Sequence, residues 1–368
     1  MNATIAERRL ERQRVTRAGV RRPADVVGWF GAIQAQEYEA AKWAIGLRMQ
    51  DGAADTEVER AYDQGRILRT HVMRPTWHFV TPADIRWLLE LTAPRVRRVM
   101  SPYDRRLELD ARTLARGIGV IERALHDAGH LTRTELGDCL QRDGLSLAGQ
   151  RLAHLVMHAE LGGIVCSGPR RGRQFTYALL AERAPNAERL SRDEALATLS
   201  RRFFQSHGPA TARDFVWWSG LTMADAKRAL DMIEATREEV AGRTYWTIGR
   251  APRGAARDRP VQLLPIYDEY LVAYRDRDAV PHGPPVIAPG SRGPVTFRHA
   301  LVIAGQLAGT WRTSRDSRGL LLKATLLRRI TPRQRRGLAE AVGRYGRFVA
   351  APVKLSIDSA PAHTEPAR

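Results

Sequence analysis

Ala32-Ile33-Gln34-Ala35-Gln36-Glu37-Tyr38 and Arg69-Thr70-His71-Val72-Met73-Arg74-Pro75-Thr76-Trp77-His78-Phe79-Val80 bound the stretch, Trp29 to Val80, whose reading decides the fold. The two glutamines stand where one apolar run ends and another, Ala40 to Met49, begins. The closing segment alternates β-branched and aromatic residues on both sides of Arg74-Pro75, so Ile67–Met73 and Thr76–Val80 read as two short strands. Upstream, Arg22-Pro23-Ala24-Asp25 starts a helix through Val26, Val27 and Phe30, with Pro23 in its first turn. The Gln34-Ala35-Gln36 element is expected at that helix's C-terminal end. Ala40 to Leu47 forms a second helix, and Asp55 to Tyr62 a third with an acidic first turn. Three helices followed by a hairpin is the winged-helix pattern.

In the Gln-x-Gln element and in the Arg-Pro-Thr-Trp-His-Phe-Val strand the chain resembles the AlkZ/YcaQ-like winged-helix DNA glycosylase family. These alkylpurine and interstrand-crosslink DNA glycosylases remove alkylated or crosslinked bases. The resemblance extends more loosely over most of the chain and implies base excision repair of alkylation damage.

Composition points the same way. The net charge is +19, with no tail holding the excess. Such a chain is expected to bind a polyanion through phosphate contacts and counterion release. Only four of the basic residues are lysines (Lys42, Lys227, Lys323, Lys354). An Arg-rich coding bias explains Arg replacing Lys, but not the excess of basic over acidic residues. No run approaches the roughly 18 apolar residues of a membrane span, and the N-terminus does not read as a signal peptide. Cys139 and Cys166 are too few for a disulfide framework or a zinc site. The expected setting is the cytoplasm, associated with the nucleoid, and the expected partner is double-stranded DNA, with no membrane.

The expected fold class is α+β, mainly helical, with tandem winged-helix motifs. Thr81-Pro82-Ala83-Asp84 caps a further helix, Ile85 to Leu91. The middle of the chain repeats itself. His130 lies four before Thr134 and is followed by Gly144-Leu145-Ser146; His207 lies four before Thr211 and is followed by Gly220-Leu221-Thr222. Thr211 with Asp214 has capping-box spacing, and Ser146 and Thr222 are expected to cap the helices that follow them. Counting the segment around Gln34, which matches on element order, and as the family resemblance also implies, there are three units: 1–110, 111–185 and 186–250. A C-terminal β-rich region with a basic hairpin, 251–357, and a disordered tail, 358–368, complete the chain. Within that region Arg250 to Pro260 is a basic loop and Pro281 to Pro294 an irregular excursion. Ala300–Trp311 and Leu320–Arg328 pair as a hairpin, Thr331-Pro332 starts a helix to Tyr345, and Val353–Ile357 is a closing strand.

The sequence lacks the phosphate-binding, dinucleotide, zinc-protease and nucleophile-elbow motifs. His154 and His158 are four apart on a helix but lack an apparent third ligand, so neither a metal nor a cofactor is expected. In an extended segment, side chains two apart face the same way, which would put the Gln34 and Gln36 amides into one cavity. Each offers an acceptor and two donors. The pair can orient a water but cannot move its proton, which is why carboxylates dominate other glycosyl hydrolyses. A purine alkylated at N7 or N3 is already cationic and leaves readily, so positioning a water and stabilising the sugar cation suffice. The resemblance assigns Gln34 and Gln36 that catalytic task. Some family members carry Gln-x-Asp; here that Asp is missing, and Glu37 is the nearest carboxylate in sequence. With no Lys near the motif, the reaction is expected to be monofunctional, without lyase chemistry.

For DNA contact the candidates are Arg74 and His78 on the hairpin, Arg170, Arg171 and Arg173 on a second wing tip, and Arg312, Arg315 and Arg318 on a third. Arg74 reaches either a phosphate or a carboxylate. Tyr267-Asp268-Glu269-Tyr270 through Tyr274-Arg275-Asp276-Arg277, which resembles another recurrent stretch of the family, either lines the cavity opposite the glutamines or forms a buried ion-pair network joining domains. A non-catalytic winged-helix regulator is the competing reading. Three units on one chain need no operator dimer, and a monomer is expected.

Overall fold

A computed structural model describes residues 4–16, 20–50, 52–250, 260–275, 298–316 and 319–359. The chain starts with α1 (Ile5–Arg12), whose first turn is closed by a capping box between Thr4 and Glu7. Helix α2 (Pro23–Phe30) begins at its proline and ends where Gly31 takes φ +85°. That break corrects the placement of the glutamines: Gln34 lies on a short strand, β1 (Ile33–Gln34), instead of a helix end. Helices α3 (Tyr38–Arg48) and α4 (Asp55–Asp63) follow, then β2 (Leu68–His71) and β3 (Trp77–Val80). The three strands form a sheet in the order β1-β3-β2, with Gln34 opposite His78.

Helix α5 (Ile85–Arg106) outruns its expected end at Leu91 by passing through Pro94 and Pro102. Both prolines are on the exposed face, where the carbonyls they leave unpaired meet water. The apolar row Ala93, Val96 and Met100 continues beneath them.

Next come α6 (Ala111–Ala128), β4 (His130–Thr132), α7 (Arg133–Arg142), α8 (Gly149–Leu161), β5 (Val165–Ser167), β6 (Thr176–Leu179) and α9 (Leu180–Arg183). After them stand α10 (Arg192–Ser206), α11 (Ala212–Ser219), α12 (Met223–Asp231), β7 (Thr236–Val240) and β8 (Arg243–Thr247). Thr211–Asp214 and Thr222–Asp225 close capping boxes as expected. Ser146 does not cap: α8 starts from Ala148 without a side-chain bond. The capping threonine of α7 is Thr132, boxed with Glu135. Thr134 has Gly137 three residues on, which offers no carboxylate to complete a box. The His-to-Thr spacing therefore matched one cap to a residue inside a helix.

The C-terminal part comprises β9 (Val261–Leu264), α13 (Glu269–Val272), β10 (His299–Ile303), β11 (Gln306–Asp316), β12 (Gly319–Leu326), α14 (Pro332–Phe348) and β13 (Val353–Ser359). Its five strands are ordered β13-β12-β11-β10-β9. The expected strand Ala300–Trp311 is two strands, because Ala304 and Gly305 turn the chain with φ of +50° and +76°. The last strand is parallel to β12, with α14 as the crossover a parallel pair requires. It also corrects the start of the expected tail: Asp358 sits in β13 with its carboxylate 2.6 Å from Lys323 Nζ. The loop 251–259, the excursion 281–294, Asp276, Arg277, Arg318 and residues 360–368 lie outside the described residues.

One apolar cluster joins α2, α3 and α4 to the five-stranded sheet, through Phe30, Trp43, Tyr62, Leu263, Trp311 and Phe348. Another joins β2 and α5 to α10–α12, and a third is confined to the segment from Leu109 to Leu179. The first cluster thus runs across the sequence span between 110 and 251, and packs the two ends of the chain together.

Candidate active site

The Gln34-Ala35-Gln36 element is extended and clamped. Ala35 N donates to Trp77 O at 2.7 Å, and Ala35 O accepts from Arg69 Nε at 3.0 Å. Gln34, His78 and Thr70 are paired across the three strands, so they form one row on one face. Gln34 Oε1 accepts from Arg74 Nη2 at 3.1 Å. A guanidinium only donates, so this bond fixes which way the amide points. Gln36 Oε1 accepts from the Trp77 backbone N–H at 3.3 Å, which fixes the second amide by the same logic. Both carbonyls are anchored with one lone pair to spare. Neither NH2 group has a protein partner among the described residues.

Beneath Gln34 lies a carboxylate. Glu269 Oε1 accepts from the Gln34 backbone N–H at 2.9 Å, and Oε2 accepts from Trp218 Nε1 at 2.9 Å, with His207 Nε2 at 3.3 Å. Burial by itself pushes the Glu269 carboxyl up. The His207 ring, the Gln34 amide and Arg74 outweigh it and hold the group below the usual carboxylate range. Glu269 is therefore an anion with almost no exposure. Burial pushes Arg74 down, and the charge of Glu269 works against that shift. Arg74 has turned inward to the Gln34 amide, and it forms no ion pair with a carboxylate among the described residues.

His78, expected on DNA, is instead fully buried. Its Nδ1 is 2.9 Å from Thr76 O, an acceptor, so Nδ1 carries the proton and Nε2 is a bare lone pair. Burial first, and then Arg74, push its pKa down to about 3, so the ring is neutral near pH 7.

The hairpin that carries Arg74 is gripped from two sides. Met73 has φ +64°, and its N–H donates to Thr92 Oγ1 of α5 at 3.0 Å. On the other side Gly220, with φ +71°, lies so close that a Cβ there would be 2.2 Å from Met73 O. Only glycine fits both the conformation and the contact.

The other expected site residues are dispersed. Arg170 stacks on Tyr38 and Phe175 and sits 3.3 Å from Glu59, so it docks the turn between β5 and β6 against α3 and α4. Arg171 pairs with Glu135 at 2.6 Å, while Arg173 is exposed. Arg312 and Arg315 are exposed on β11. Asp268 is locked in a buried two-point pair with Arg48, at 2.8 and 2.9 Å. Within the Tyr267–Tyr270 stretch, Asp268 pairs with Arg48 and the adjacent Glu269 accepts from the Gln34 backbone. Glu37 is exposed and makes no capping bond. Lys42 is held by Glu39 and Glu59, each at 2.8 Å, and by Asp55 at 3.0 Å. His154 and His158 both bind Asp104, at 3.1 and 2.9 Å. No helix among the described residues is long and apolar enough to cross a membrane.

Glu269, His207, Trp218 and Thr92 were not singled out from the sequence as site residues. Glu269 had a signal, as an acid in a stretch shared with a family; the other three had none, because they act from other elements.

The chain is similar to known proteins in sequence and in fold. The sequence model of the family described as DNA glycosylase AlkZ-like matches residues 27–348. A Streptomyces sahachiroi protein, the interstrand DNA cross-link repair glycosylase, is 26% identical over 304 residues, which is 78% of this chain and 81% of that protein. The solved structure of the Streptomyces sahachiroi DNA glycosylase AlkZ has the same fold, with a TM-score of 0.77 over 97% of this chain and 100% of that one at 22% identity.

Proposed function

The chain belongs to the AlkZ-like DNA glycosylase family, and from that premise we propose that Gln34 and Gln36 direct hydrolysis of the N-glycosidic bond of cationic alkylated purines in double-stranded DNA. The relative named for interstrand cross-link repair extends the proposed substrates to crosslinked purines. The observation that carries the assignment is the double tether of Gln34, by its backbone to an ionised Glu269 and by its side chain to Arg74.

In such a base the glycosidic electron pair leaves with the purine, which departs neutral, and the sugar becomes an oxocarbenium ion. Water adds at C1′ and loses its proton to solvent. The spare lone pairs of Gln34 Oε1 and Gln36 Oε1 accept the hydrogens of that water and aim its oxygen. Fixed amides cost no reorganisation when the cation forms. Glu269 supplies a permanent negative charge below the glutamine, in place of the carboxylate that Gln-x-Asp relatives carry in the motif. It acts through Gln34 and as a field, with no proton transfer. The bound state of Lys42 favours a monofunctional reaction. We read the chain as three winged-helix units, 1–110, 111–185 and 186–250, acting as a monomer on the nucleoid. The test is release of N7-methylguanine from duplex DNA by the wild type, Gln34→Ala and Gln36→Ala. Loss of release in both variants is expected, and equal release by all three would remove the assignment.

A further inference from the structure

Helix α5 has a row of side chains that neither the fold nor the site uses. Arg95, Arg98, Val99, Pro102, Tyr103 and Arg106 recur at i, i+3, i+4, i+7, i+8 and i+11, and all six are exposed. The opposite face, with Val96, Met100 and Asp104, is buried. Val99 and Tyr103 are 48% and 46% exposed, the highest values among the exposed large apolar side chains of the described residues. Many surface arginines elsewhere are neutralised, Arg171 by Glu135, Arg192 by Asp225 and Arg228 by Asp193. Arg95, Arg98 and Arg106 have no carboxylate partner among the described residues. Arg106 lies over the Tyr103 ring at 4.6 Å, an arrangement that keeps the guanidinium extended along the helix.

The row starts at the active site. Thr92, which holds Met73 beside Arg74, precedes Arg95 by one turn and shares a face with Val99 and Tyr103. At about 1.5 Å per residue, Arg95 to Arg106 spans roughly 16 Å. That matches about five nucleotides of one strand measured along the duplex axis. Three unpaired cations, interleaved with apolar groups suited to sugar edges, fit a phosphodiester backbone.

We infer that the exposed ridge of α5, Arg95, Arg98, Val99, Tyr103 and Arg106, is a docking surface for the backbone of duplex DNA beside the damaged nucleotide, and that through Thr92 it bears on the hairpin carrying Arg74. This rests on DNA being the substrate, and not on which base is removed.

The experiment measures binding of the full chain to undamaged duplex by fluorescence anisotropy over a range of salt. The triple variant Arg95→Ala/Arg98→Ala/Arg106→Ala should bind roughly 10²-fold more weakly at about 0.1 M salt, with a log–log salt slope shallower by about 2–3, near 0.9 for each phosphate no longer neutralised. The corresponding triple lysine variant should recover most of the slope, because a phosphate accepts either cation. All three positions are exposed, so folding is checked by an unchanged melting temperature. Wild-type affinity and slope in the alanine triple would overturn the inference. Undamaged DNA needs no base release, so a wild type that removes no methylated purine would sink the proposed reaction and leave this result standing.

Discussion

Arg74 separates two roles that differ in what they do to a rate and to an affinity. Its Nη2 bond to Gln34 Oε1 is 3.1 Å long and charge-assisted, and the negative charge of Glu269 opposes the downward pull of burial on it. Hydrogen bonds to charged groups are worth about 1.5–3 kcal/mol. At about 1.36 kcal/mol per decade, losing one that operates in the transition state slows the chemical step by roughly 10- to 150-fold. Arg74→Met keeps the length of the side chain and removes the donor. Single-turnover release of N7-methylguanine at saturating enzyme should fall within that range, while affinity for undamaged duplex and its salt slope stay near wild type. Arg74→Lys, which keeps a donor without the planar fork, should recover part of the rate. Combined with Gln34→Ala, the Met change should add little, because the two residues act as a unit. The opposite pattern, a saturated rate that holds while the salt slope drops by about 0.9, would mean that Arg74 contacts a phosphate, and would refute the clamp.

Neutral histidines, fully buried at His78 and half-buried at His299, make stability fall with acid. The His78 and His299 pKa values are pushed down to about 3 and about 4 by burial, so between those values and the ordinary 6.5 the unfolded chain binds protons that the folded chain refuses. The stabilisation is complete above about pH 6.5 and is lost as the pH falls, by about 2 kcal/mol for each at pH 5. Urea midpoints at pH 7 and pH 5 measure this, and equal midpoints would contradict the buried neutral state. Gly220→Ala meets both a left-handed backbone, costing about 1–2 kcal/mol, and a Cβ 2.2 Å from Met73 O. Its melting temperature should drop, and base release assayed well below that temperature should drop as well, because the hairpin holding Arg74 must move; a purely thermal effect would leave the second readout unchanged.

Local chemistry was legible where it is self-contained. Pro23 started its helix, the run Arg69–Val80 gave its hairpin, and Thr211 and Thr222 capped where their partner acids are three residues on. Ser146 failed because capping needs backbone geometry as well as a hydroxyl, and the turn before α8 places Ala148 there. Helix α5 runs past its expected end at Leu91 through Pro94 and Pro102, which are exposed and so tolerable within it. The same limit governs the site. Gln34 and Gln36 stand out through the family resemblance of the Gln-x-Gln element, whereas Glu269 could not be distinguished from Asp268 beside it until Arg48 claimed one and Gln34 the other. The arginines of the second hairpin read as a DNA-facing tip, but Glu59 and Glu135 take two of them.

The bond from the Gln34 amide to the Glu269 carboxylate joins positions 235 residues apart. During synthesis the N-terminal helices emerge from the ribosome long before their carboxylate exists, and α10–α12, which carry His207 and Trp218, emerge in between. A nascent or truncated chain ending before residue 269 therefore lacks the carboxylate that holds the Gln34 amide. Contacts of such long sequence separation also form slowly, so the clamp on Gln34 is among the last contacts this protein completes.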